Sequence, residues 1–136
     1  MAGNIDPVFP KVNKAGWATL SAANTAKDGT GVVQTICTGD DTNGSYVEDI
    51  RCIPIGTNVA TVLRVFLNNG SSSAVAANNT LWYEKTLPLS ALSEVAEQVP
   101  QIIPLKRAIP PGYKLNVCLA TAVAAGVQVT CAYGDY

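Results

Sequence analysis

Four cysteines, two pairs of adjacent carboxylates and a run of serines are the residues of this chain whose types could do chemistry. Cys37, Cys52, Cys118 and Cys131 show no C-x2-C spacing, so a zinc ion would need ligands converging from separate strands. The chain has no histidine, which removes any His-based triad and any imidazole metal site. Asp40-Asp41 lead into an Asn43-Gly44 turn, where aspartate is a usual turn residue. Glu48 and Asp49 are neighbours on a predicted strand, so they point to opposite faces and cannot share a proton as a glycosidase pair does. Ser71–Ser73 lie in a loop with no G-x-S-x-G elbow. GDDTNG, from Gly39 to Gly44, resembles half of a calcium loop but lacks the closing bidentate glutamate. GTGVV, from Gly29 to Val33, is followed by a strand-like run rather than a helix, so it does not cradle phosphate. No catalytic residue, cofactor site or metal site is expected, and the chain does not read as an enzyme.

The cysteines can be tested for pairing by strand register. A two-residue turn at Ala124-Ala125 would set Cys118 opposite Cys131 but would mix apolar and polar faces. A three-residue turn, Ala124-Ala125-Gly126, pairs Val123 with Val127, Leu119 with Cys131 and Val117 with Tyr133. It keeps one face apolar and puts glycine where φ > 0 is wanted. In that register Cys118 and Cys131 lie on opposite faces. An Asn43-Gly44 hairpin would set Cys52 opposite Thr35, only diagonal to Cys37. Reduced cysteines packed as small core residues are the expectation.

The elements that must position these residues are strands. Period-two alternation picks out Ala18–Leu20, Gly31–Thr38, Tyr46–Ile55, Val59–Asn68, Thr80–Leu89, Gln101–Ala108, Tyr113–Val123 and Val127–Tyr133. Turn chemistry separates them: KDGTG, DDTNGS, PIGTN, an Asn/Ser/Ala loop, IPPGY and AAG. One fragment, Ser90–Gln98, is helix-like, limited to a turn or two by Pro88 and Pro100. About eight short strands predict an all-β fold, an antiparallel, jelly-roll-like β-sandwich over residues 15–136. Its inward face is expected to hold Val33, Ile50, Cys52, Leu63, Val65, Leu67, Leu115, Val117, Leu119, Val129 and Cys131. Residues 1–14 carry Pro7 and Pro10 and read as an extended N-terminal arm without a strand partner.

Composition narrows the partners. Of the 136 residues 48% are hydrophobic and only 14% charged, below the roughly 25% typical of soluble domains. Such a surface is finished with Asn, Ser, Thr, Gly and Ala or covered by other protein. A net charge of −1 gives no electrostatic footprint for nucleic acid or an anionic membrane. The apolar windows fall short of the ~20 residues that span a bilayer. The N-terminus lacks the basic start and apolar run of a signal peptide, so synthesis in the cytoplasm is expected. The contact candidates are Val62, Arg64 and Phe66, on the strand face away from Leu63, Val65 and Leu67, together with Trp17.

WATLSAANTAKDGTG, GSYVEDIRCIPIGTNVATVLRVFLNNG, AANNTLWYEKTLPL and IPPGYKLNVCLATAVAAGVQVTCAYGDY together resemble a family of small proteins of tailed phages and prophages. The resemblance runs from about Trp17 to Tyr136, with GTNVATVLRVFLNNG, PPGYKL and the terminal GDY as its most specific pieces. The cysteines depart from it, standing where valine or a similar residue is expected, and Met1–Lys14 is the least similar part. It implies a virion-structural role: a capsid decoration (cement) protein, a homotrimer on the capsid surface, with the major capsid protein as partner. An arm anchored by Val8 and Phe9 would lie along the capsid or a neighbouring subunit. A carbohydrate-binding module of a tail fibre or host-recognition complex, or another tail or neck component, is the alternative.

Overall fold

The computed structural model describes residues 9–136. Nine strands build it: β1 (Val12–Leu20), β2 (Gln34–Thr38), β3 (Ser45–Pro54), β4 (Thr61–Asn68), β5 (Asn79–Leu87), β6 (Gln101–Ile103), β7 (Arg107–Ile109), β8 (Lys114–Leu119) and β9 (Val127–Asp135). The first sheet has the order β1-β9-β3-β6, with β7 also on β3; the second has the order β2-β8-β4-β5. All named pairings are antiparallel. The chain changes sheet at most connections, the β4–β5 hairpin and the β6–β7 step being the exceptions, and the result is a two-sheet antiparallel sandwich.

Alternation places the core between the sheets. Leu63, Val65, Leu115, Val117, Leu119, Val129 and Cys131 are all fully buried, joined by Ile50 and Cys52 from β3. Val33 and Leu67, expected with them, are only partly buried. A bulge between Val47 and Asp49 resets the alternation of β3, so Val47 and Ile50 both point inward. Burying each such aliphatic side chain contributes about 1.5–3 kcal/mol, which makes this layer the main source of stability.

Several expectations need correcting. The turn Ala124-Ala125-Gly126 exists and Gly126 has φ 94°, but β8 and β9 lie in different sheets and do not pair. The turn carries the chain across the core, with the Val123 N–H bonded to the Ser21 carbonyl at 2.9 Å. Likewise β2 and β3 are not a hairpin; β2 pairs with β8 and β3 with β9. The run 101–108 is split because Pro104 has no N–H to donate and Lys106 takes φ 48°. Ser90–Gln98 forms no helix. Ser90 pairs with Asn58 instead, and the Ser93 hydroxyl accepts the N–H groups of Val95 and Ala96, closing a single bend. At the N-terminal side, Val12–Lys14 are not arm but strand, paired with Asp135, Gly134 and Tyr133.

Candidate functional site

The two outer faces of the sandwich are finished differently. On the second sheet, Phe66, Asn116 and Cys118 point away from the core, yet they are 0%, 3% and 2% exposed. Their cover is the chain itself. The segment after β1 is pinned to the end of β8 by the Asn24 N–H on the Leu119 carbonyl at 2.8 Å. It then reaches the start of β5, where the Asn79 side-chain amide donates to the Asp28 carbonyl at 3.3 Å. A path between those points crosses the rows that hold Cys118, Asn116 and Phe66. Asn24 braces the segment from below, donating to the Thr30 and Val32 carbonyls at 2.8 and 2.9 Å.

Nothing of the described chain lies over the equivalent face of the first sheet. Register sets three rows across it: Trp17–Thr130–Arg51–Ile102, Thr19–Gln128–Ile53 and Ala15–Ala132–Asp49. Trp17 is 69% exposed and Ile102 39% exposed. Arg51 and Asp49 are the only charges in these rows. The face is therefore flat, sparsely charged and furnished with a tryptophan and an arginine, the types that most often dominate contact energy.

A second apolar surface lies at the end of the sandwich where β3 finishes and β9 begins. Val59, Leu89, Leu92, Val95 and Val99 are each at least 59% exposed there. Val59, Leu89 and Val99 border a groove of about 220 Å³ floored by Leu87, Val123 and Val127. The strap that carries them is fixed at its root. Asn58 and Ser90 exchange backbone hydrogen bonds at 3.1 and 3.0 Å, and Ser90 Oγ donates to the Gly56 carbonyl at 2.7 Å. The Asn58 side chain, 6% exposed, donates to the Gly126 carbonyl and accepts the N–H groups of Ala125 and Gly126. Helical expectation for Ser90–Gln98 hid this surface, because Leu89, Leu92, Val95 and Val99 recur every three or four residues, the spacing of a helix.

The six contact candidates separate. Val8 lies outside the described residues. Phe9 is 72% exposed just before β1, and Trp17 is exposed on the open face. Val62 is half-buried. Arg64 lies with its side chain 11% exposed and its Nε 3.1 Å from Glu84 Oε1, so much of its charge is answered within the chain. Phe66 corrects the expectation of an exposed contact: its own chain covers it completely, because the long connection before β2 folds back over that face.

The titratable groups are placed for packing. Burial pushes the Cys52 thiol up to about 12, and burial likewise raises Cys118. A thiol held protonated is a poor nucleophile and a poor ligand. Among the described residues no group of three His, Cys, Asp or Glu side chains is gathered as metal ligands would be. At the other end of the sandwich, Asp135 accepts from Ser45 Oγ at 2.6 Å and from Lys14 Nζ at 2.5 Å. Burial pushes its carboxyl up, but those two hydrogen bonds and the lysine charge outweigh it and hold the group below its ordinary value.

No protein-family profile matches the chain, and no curated protein matches it. Two solved structures are similar to it. One is a chain of the cyanophage Pam1 capsid asymmetric unit, 16% identical with a TM-score of 0.43, covering 99% of this chain and 94% of that one. The other is a chain of infectious bursal disease virus, Gx strain, 11% identical with a TM-score of 0.35, covering 98% of this chain and 36% of that one.

Proposed function

We propose that the chain is a non-enzymatic structural protein of a phage virion, a capsid decoration protein that sits on the outside of the head as a homotrimer. The observation that carries this reading is the contrast between the two sheet faces. One face is covered by the chain's own segment, and the described residues leave the other open with Trp17, Ile102 and Arg51 on it. The motif resemblance of residues 17–136 to phage proteins supports a capsid partner for the open face.

Area decides how many surfaces the role needs. Four strands about 4.8 Å apart and about five residues along each give a face of roughly 300 Å². A stable contact buries about 800 Å² per partner, so the flat face needs help from the apolar end and from the segment before β1. The apolar end, with its cluster of Leu and Val, suits contact between copies, which is the more apolar kind of interface. The open sheet face, mixed and flat, suits the major capsid protein. Such a trimer works without a reaction, by adding buried area across seams of the shell.

Sedimentation velocity of the purified chain should show a species of three copies that Leu92→Asp and Val95→Asp together reduce to monomer. Trp17→Ala should keep the trimer but release it from heads of the phage that encodes it. Monomers at every concentration, with no binding to heads, would overturn the proposal. A second reading rests on Trp17 alone: an exposed indole on a flat sheet is a stacking platform for a sugar ring. Trp17-dependent binding to host surface polysaccharide, in place of head binding, would select that host-recognition role.

A further inference from the structure

Two cysteines left unused by the role above face the same core from opposite sheets. Cys131 lies on β9 of the first sheet, opposite Gly16 of β1, and Cys37 on β2 of the second. A side chain at Gly16 would place its Cβ 1.9 Å from the carbonyl oxygen of Ile36, so the two sheets touch there backbone to backbone. Glycine is what allows β2 to come that close. A bulge between Thr35 and Cys37 then turns two successive residues inward, leaving Ile36 2% and Cys37 1% exposed. Cys131 is 0% exposed and belongs to the same core cluster. The Cys37 side chain beside it and burial both push the Cys131 thiol up. Glycine and bulge are separate features that together turn Cys37 toward the part of the core that holds Cys131.

We propose that Cys37 and Cys131 form a disulfide between the sheets when the folded chain meets a low-molecular-weight disulfide such as oxidised glutathione. The balance is simple. The Cys37 thiolate attacks one glutathione sulfur, forming a mixed disulfide and expelling the first glutathione thiolate. Cys131 then attacks the Cys37 sulfur, closes the protein disulfide and expels the second glutathione. The two thiol protons end on the two glutathiones, so the protein loses two electrons and the oxidant gains them. Cys37 acts first because β2 is a five-residue edge strand interrupted by its bulge, which opens locally at low cost. Cys131, on a strand paired on both sides, waits for it. Cys52 and Cys118 have no such partner: one packs beside Val129 in the core and the other lies under the covering segment.

The timing, unlike the chemistry, rests on the virion reading. A chain made in a reducing cytoplasm and later released into an oxidising medium would close the bond after assembly, locking the sheets together.

The test uses the full chain, reduced and then incubated with oxidised glutathione. Trypsin leaves Cys118 and Cys131 on one peptide, Leu115–Tyr136, so mapping is done on Cys118→Ser as well as the wild type. The expected results are the loss of two hydrogens in intact mass, a cross-linked pair of peptides holding Cys37 and Cys131, and a rise in Tm on the order of 10 °C reversed by dithiothreitol. Cys52→Ser should behave as the wild type, while Cys37→Ala and Cys131→Val should each remove the cross-link. Persistent glutathione adducts without a cross-link, a disulfide through Cys52 or Cys118, or no oxidation at a temperature where hydrogen exchange shows β2 opening would each overturn the proposal. The cross-link is read on the isolated chain, so its failure is distinct from a failure to trimerise or bind heads.

Discussion

At the scale of single residues, polar side chains here hold the ends of the sandwich while apolar ones fill it. Asn58 satisfies three backbone groups at the β9 end, and removing it would strand them at a cost of about 1–3 kcal/mol. Asp135 does the same at the other end, tying β9 to Lys14 of β1 and Ser45 of β3. Its carboxyl is held below the ordinary value, so its contribution is present above the unfolded pKa of about 3.9 and is lost as pH falls through the lower folded value. Asp135→Asn is therefore expected to lower Tm at pH 7 and to flatten the fall of Tm between roughly pH 5 and pH 2. A variant whose acid profile overlays that of the wild type would assign that sensitivity to other groups. None of this was legible in the sequence, because an Asp and a Lys 121 positions apart announce no contact. The burial of Phe66 was hidden for the same reason: alternation shows which face of a strand a side chain takes, but not what lies over that face.

At the scale of elements, strands were legible and their partners were not. Each sheet turns one apolar face inward, so the alternation in KLNVCL and VQVTCAY is the same whether β8 and β9 pair or face each other. That is why most of the expected core is buried although the expected hairpin does not exist. Turn chemistry was equally ambiguous, since Gly126 takes a positive φ in a turn that crosses between sheets. The N-terminal boundary moved because Val12–Lys14 join a ladder whose other strand lies at the far end of the chain. Deleting Met1–Phe9 is expected to leave Tm within a few degrees of the full chain, as β1 stays whole. Extending the deletion through Lys14 should lower it clearly, since three ladder pairs and the partner of Asp135 go with it. Thermal melts of the two truncations check this, and equal Tm values would return those residues to the arm.

At the scale of the whole molecule, the open face and the apolar end are properties that no single strand carries. They arise because the segment after β1 is long enough to cover one sheet, and the described residues supply no counterpart for the other. The strand order has a further effect. β9 pairs with β1 on one side and β3 on the other, so the middle of the first sheet is filled by the last strand of the fold. Contacts this distant in sequence close slowly, and refolding from denaturant is expected in the range of milliseconds to seconds rather than microseconds, followed by stopped-flow tryptophan fluorescence. A burst complete within the dead time would contradict it. The same strand order governs birth on the ribosome: until β9 clears the exit tunnel, β1 and β3 have an empty lane between them. Each nascent copy thus waits with raw edges showing, and chaperones that shield such edges would matter most until β9 has emerged.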